Sequence, residues 1–122
     1  MDERTHPIEG QIVLVAGARA SVTLTRLSGL VERAQRHVRG NRDEYDRQFE
    51  RIEGPQDLVY YLVDQDHWET VGEELGLDDR ETDAVRRAHA EQFRRTGRRL
   101  DRLDEFETTM EIRDVVVMSR QS

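Results

Sequence analysis

Cysteine is absent from the 122 residues, which excludes a disulfide framework, a thiolate nucleophile and a Cys-ligated zinc site. Lysine is absent as well, so all 19 basic residues are arginine. No apolar stretch approaches the roughly 18 residues of a membrane-spanning helix. The run Ile12-Val13-Leu14-Val15-Ala16 is too short, and Glu9 precedes it where a secretory signal would carry positive charge. These absences lead to the expectation of a cytoplasmic protein with no membrane partner. There is also no glycine-rich phosphate loop and no Gly-x-Ser-x-Gly elbow, so neither a nucleotide cofactor nor a serine nucleophile is signalled.

What is present is charge. Charged residues make up 37 % of the chain, with 26 acids against 19 bases and a net charge of −7. An acidic chain without lysine fits a cytoplasm rich in potassium chloride. At about 1 M salt the Debye length is near 3 Å, so the self-repulsion of the acidic surface is largely screened. Codon bias in a GC-rich genome is the competing explanation for the arginines. The length suits one domain over residues 1–122, able to bury roughly two-thirds of its unfolded surface; residues 1–7, polar and containing Pro7, read as a loose start.

Along the chain, residues 8–20 fit either a buried strand or a helix, and Ile8, Ile12, Val15 and Arg19 on one side favour the helix. Thr23 is placed to cap a second helix, with Leu24, Leu27, Val31, Ala34 and Val38 at helical spacing and Gly40-Asn41 to end it. Residues 44–63 read as a hairpin: Tyr45 and Phe49 share one face of its first segment, Glu53-Gly54-Pro55-Gln56 turns, and residues 58–63 form a second strand apolar on both faces. Such a strand must be covered from two sides. Asp66 and Glu69 resemble a capping box for a short helix closed by Gly76. Asp78 then caps a long helix over 79–103, whose first turns hold Asp79, Glu81 and Asp83. Residues 105–113 alternate as a strand does, yet Phe106 and Met110 also continue the period of the preceding helix. Residues 115–118 are strand-like on either reading.

The stretches Asp66-His67-Trp68-Glu69, Leu75-Gly76-Leu77-Asp78-Asp79-Arg80-Glu81, Ala88-His89, Gly97-Arg98-Arg99 and Glu105-Phe106-Glu107 resemble an uncharacterised family of small haloarchaeal proteins. The likeness covers about two-thirds of the chain and is weakest over the first forty residues. It implies salt adaptation and no particular activity, and it transfers no functional residues.

The feature with functional content is an arginine stripe. Arg87, Arg94, Arg95, Arg98, Arg99 and Arg102 fall within an arc of about 140° on the long helix, at 100° per residue, with Val85, His89, Phe93, Thr96, Leu100 and Leu103 opposite. Such a flank suits a polyanion or an acidic protein surface; alternatively it is a solvated face paired with the chain's own carboxylates. Six phosphate contacts would lose roughly 10⁵ in affinity between 0.2 and 2 M salt. A protein partner therefore ranks ahead of nucleic acid, helped by the bidentate geometry of guanidinium.

Two other readings were open. Residues 67–90 have the apolar, small and turn positions of a helix-turn-helix, but the acids after Asp78 would repel phosphates. A small hydrolase or metal enzyme would need convergent ligands. His89 and Glu91 point apart, His89 lies on the apolar side, and His67 beside Trp68 reads as an anchor; no metal set or catalytic residue is assigned. Glu105, Glu107 and Glu111 form a row of carboxylates if their segment is a strand.

The expected architecture is thus an α+β domain, mostly helical, with a small antiparallel sheet made from the hairpin and a C-terminal strand. One long helix packs across it, and Trp68, Phe93, Leu100, Phe49, Tyr60 and Leu62 form the core. The expected role is a non-enzymatic interaction or regulatory module without a cofactor; the apolar side of the long helix would also allow a homodimer.

Overall fold

The computed structural model describes residues 6–120. It is a mainly helical α+β domain in which six helices surround a three-stranded antiparallel sheet of order β1-β2-β3. The expectation of a loose start at residues 1–7 falls mostly outside the described residues; within them, His6 and Ile8 are already buried.

Helix α1 (Gly10–Ala20) settles the ambiguous first segment. Its buried residues are Ile12, Val13, Ala16 and Gly17, and Val15 faces outward, so the core side lies a little round the helix from the one the spacing suggested. Helix α2 (Leu24–Gly40) begins where Thr23 accepts a hydrogen bond from the Arg26 amide. Asn41 is its C-cap. The following segment departs from expectation. Tyr45 lies in a short helix, α3 (Arg42–Gln48), and the hairpin's first strand is only β1 (Glu50–Glu53). A spacing of four between Tyr45 and Phe49 suits either period, and Asp43 and Glu44 in the first turn favour the helix through its dipole.

Strand β2 (Leu58–Val63) is buried at every position, between β1 and β3 (Asp114–Ser119). Its two central tyrosines point to opposite faces. Tyr60 lies 5.1 Å from Phe93 and bonds Thr96. Tyr61 lies 5.6 Å from Tyr45 and donates to Asp46. Both faces are therefore covered by helices, as the doubly apolar sequence requires.

Helix α4 (His67–Leu75) starts without the expected box: Asp66 makes no side-chain cap, and the turn is held by the His67 amide on the Asp64 carbonyl. Gly76 closes it at φ 72°, a left-handed geometry suited to glycine. The full capping box belongs instead to α5 (Asp79–Arg99), where Asp78 accepts from the Glu81 amide and the Glu81 side chain accepts from the Asp78 amide.

α5 is the central helix and is shorter than expected. It stops at Arg99, Asp101 turns left-handed at φ 56°, and a separate helix α6 (Leu103–Met110) folds back. The fold-back stacks Phe106 on Phe93 with centroids 4.1 Å apart and planes within 5°. Gly97 makes room, because a Cβ there would come within 2.9 Å of the Phe106 ring. Leu100 is consequently left 38 % exposed at the break rather than in the core, and Phe49 is only half-buried; Trp68, Phe93, Tyr60 and Leu62 are buried as expected.

Among the described residues the outer edge of β3 has no neighbouring strand, yet residues 114–118 are buried. Unpaired ladder groups in that position would be costly, and side chains satisfy them one by one. The Asp114 carboxylate accepts from the Val115 amide. Trp68 Nε1 donates to the Val115 carbonyl at 3.0 Å. His89 Nδ1 accepts from the Val117 amide at 3.0 Å, and Gln35 Nε2 donates to the Val117 carbonyl at 3.1 Å. Arg42 donates to the carbonyls of Ser119 and Arg120. Helices α2, α3, α4 and α5 thus supply, through side chains, what a fourth strand would supply through its backbone.

Candidate functional site: an arginine-lined cleft

The six stripe arginines do not form one solvated flank. Arg87 donates to Asp83 at 2.6 Å, sharing that carboxylate with Arg86. Arg94 pairs with Glu91 at 2.6 Å. Arg95 and Arg99 both reach Glu9, the residue that opens α1, at 3.1 and 3.0 Å. Arg102 is not on α5 at all: it is the N-cap residue of α6, where it pairs with Glu105 and lies 5.0 Å from the Phe106 ring. Arg98 is exposed and has no ion pair among the described residues. α1 is the cause of this division, because it packs along α5 and places Glu9 beside Arg95 and Arg99.

Glu9 is the best-held carboxylate of the group. Its partial burial would raise its pKa, but hydrogen bonds from Gln92, Arg99 and Arg95, with the Arg99 charge, outweigh burial and bring it down to about 2. The Glu9 amide in turn donates to Gln92 Oε1 at 2.9 Å. These contacts join the start of α1 to the second half of α5, so Arg95 and Arg99 act in holding the fold.

The remaining arginines converge elsewhere. A cleft of about 580 Å³ lies between α1, α5 and the connection from α6 to β3, lined by Arg19, Arg86, Arg87, Arg94 and Arg113. Val15, Ala16, Ala90 and Met110 supply its apolar lining, and Glu91, Glu107 and Asp114 its acids. Asp114 is buried, and burial raises its pKa against the opposing influence of Arg86, the Val115 amide and Arg94. Arg19 and Arg113 make no ion pair among the described residues, so their donors are open to a ligand. Sequence reasoning identified Arg87 and Arg94 but missed Arg19, Arg86 and Arg113. No local period links these three, which come together only because α1 and the end of α6 flank α5.

The other candidate groups take structural places. His67 Nε2 shares a hydrogen bond with the Tyr45 hydroxyl at 2.5 Å, and burial lowers the imidazole pKa. His89 is fully buried against Trp68 with centroids 4.4 Å apart. Glu105, Glu107 and Glu111 are not a strand-face row: the first two lie on helix α6 and the third just after it. Helices α4 and α5 pack together across a short turn, but the leading end of α5 is acidic, and Glu81 is tied to Arg26 of α2 at 2.5 Å. Among the described residues no group of three or more His, Asp or Glu is arranged to hold a metal ion, and no helix is long and apolar enough to cross a membrane.

A family profile described as Domain of unknown function (DUF8048) matches residues 6–120. The chain belongs to this family. The match spans every helix and strand described above, so the DUF8048 domain is the whole fold rather than a part of it. No curated protein and no solved structure matches the chain.

Proposed function

We propose that the protein is a non-enzymatic interaction or regulatory module that docks an acidic segment of a protein partner in the arginine-lined cleft. The observation carrying this reading is that five arginines meet in one cleft of a chain of net charge −7, with Arg19 and Arg113 making no ion pair among the described residues. The contact set keeps Arg87 and Arg94 of the stripe and adds Arg19, Arg86 and Arg113; Arg98 lies outside the cleft, Arg95 and Arg99 tie α5 to Glu9, and Arg102 is paired locally with Glu105. A protein segment is favoured over nucleic acid because Val15, Ala16, Ala90 and Met110 offer apolar contact that salt does not screen.

The absence of lysine and the acidic surface support a salt-adapted, haloarchaeal cytoplasm as the setting. In such a medium a cleft working through charge alone would bind weakly, and its apolar lining becomes the larger contribution. The test is fluorescence anisotropy with a labelled peptide alternating Glu and Leu, and with a single-stranded oligonucleotide of equal charge, in 0.2 and 2 M KCl. The peptide should bind in both salts and weaken at least tenfold in the Arg19→Gln, Arg113→Gln double variant, with the oligonucleotide lost at 2 M. Equal peptide affinity for the double variant and the parent would refute the assignment.

A further inference from the structure

A second cleft, of about 810 Å³, opens at the opposite end of the Glu9 cluster. It lies among the first described residues, the C-terminal ends of α2 and α5, the β1–β2 turn and the end of β3. Of its ten lining residues only Pro7 and Leu58 are apolar, so it suits a hydrophilic ligand rather than an acyl chain or a flat ring. Counting donors and acceptors decides the ligand's charge. Glu9 already accepts from Gln92, Arg95 and Arg99, and both ends of the Gln92 amide are used on Glu9. Asp57 accepts from Arg120. The Glu9 and Gln92 acceptors and one oxygen of Asp57 are therefore engaged.

The donors are not. Arg39, half-buried at the end of α2, makes no hydrogen bond or ion pair among the described residues, whereas Arg42 nearby is fixed on two carbonyls. Arg99 keeps only a long 3.4 Å contact to Gln56 on the side away from Glu9. Gln56 and Ser119 line the same space, and the Gln56 amide nitrogen and the Ser119 hydroxyl have no acceptor among the described residues. Two guanidiniums flanked by an amide and a hydroxyl match the several oxygens of a phosphate group, with the uncommitted Arg39 donating in bidentate fashion and Arg99 adding a bond beside the one it gives Glu9.

The backbone at this cleft is also strained. Gln56 and Asp57 are both left-handed, at φ 59° and 61°, without being glycine. Arg120 holds the turn in place through its amide on the Asp57 carbonyl at 2.6 Å and its guanidinium on the carbonyls of Gly54 and Leu58. The strained turn is what brings Gln56 to Arg99.

We infer that this cleft binds a small hydrophilic phosphomonoester, with Arg39 and Arg99 on the phosphate and Gln56 and Ser119 beside it. The site is separate from the acidic-partner cleft and stands or falls independently of it. Inorganic phosphate and glycerol phosphate are the probes, titrated at constant ionic strength in KCl and followed by thermal unfolding and by NMR shifts. Both should raise the melting temperature of the parent. Arg39→Gln should change the unliganded melting temperature little, because the Arg39 side chain makes no hydrogen bond or ion pair among the described residues, and should weaken apparent binding at least tenfold. Arg113→Gln, in the other cleft, should bind as the parent does. No response in the parent, an equal response in Arg39→Gln, or an equal loss in Arg113→Gln would each overturn the assignment.

Discussion

Acid should unfold this protein chiefly through His89, and the size of the effect follows from the edge of β3. Nδ1 accepts the Val117 amide only while it is unprotonated, and Nε2 has no partner among the described residues, so the neutral ring carries its proton on Nε2. Complete burial, and then the charges of His6 and His67, push the pKa from an ordinary 6.5 down to about 3. An unfolded chain takes up this proton below pH 6.5 and the folded chain does not until about pH 3, so stability falls as the pH drops through that window. The loss is about 1 kcal/mol by pH 5.5 and about 3 kcal/mol by pH 4.5, approaching about 5 kcal/mol over the full range. A domain of this size holds only about 5–15 kcal/mol in total. His89→Gln separates this effect from others, because the amide oxygen can still accept from Val117 and does not titrate. Urea unfolding of parent and variant between pH 7.5 and 4.5 is the assay. The variant should start about 1–3 kcal/mol less stable, having lost the ring against Trp68, and its stability should fall less steeply with acid by the amounts above. Parallel curves for the two proteins would refute the reasoning.

Three further predictions concern stability, two of them from the packing of α5. Glu9→Gln should lower stability at neutral pH by about 1–3 kcal/mol, since Arg95 and Arg99 lose their shared carboxylate. The parent's own contribution from Glu9 is present above pH 4.5 and lost as the pH falls toward 2, so the two proteins should converge in acid; a constant difference down to pH 2 in chemical denaturation would contradict it. Gly97→Ala should destabilise by about 1–3 kcal/mol through the clash with Phe106, and hydrogen exchange should show α6 opening early. Gly29→Ala, with nothing within 4 Å of the added methyl, should instead stabilise by about 0.5–1 kcal/mol, and calorimetry of the pair checks both signs.

Features resting on local chemistry were legible in the sequence. Thr23 caps α2, Asp78 caps α5, and Gly76 ends α4, because each role depends on a residue and its next few neighbours. The doubly apolar β2 declared that both its faces are covered for a similar reason. The errors fall where one spacing serves two structures. Phe106 continues the period set by Phe93 in an unbroken helix, yet the same residue reaches Phe93 by folding back over Gly97. Tyr45 and Phe49, four apart, satisfied the strand and the helix alike. His89 was legible as a buried histidine, but its partner on β3 is 28 positions away and left no local trace. Of the cleft's five arginines two were legible. Arg87 and Arg94 share a helix, whereas Arg19 and Arg113 meet them through tertiary packing alone. That Glu9 would claim Arg95 and Arg99 also depended on where α1 lies.

The sealing of β3 gives the sheet a direction. A foreign strand can add only alongside β1, where Glu50, Arg51 and Glu53 project charge into solvent and discourage it. A lesion at Trp68, Gln35 or His89 would do more than loosen the interior: it would uncover a sticky margin that normally never meets another molecule. Damage there should therefore show first as clumping between copies, while most of each copy is still folded.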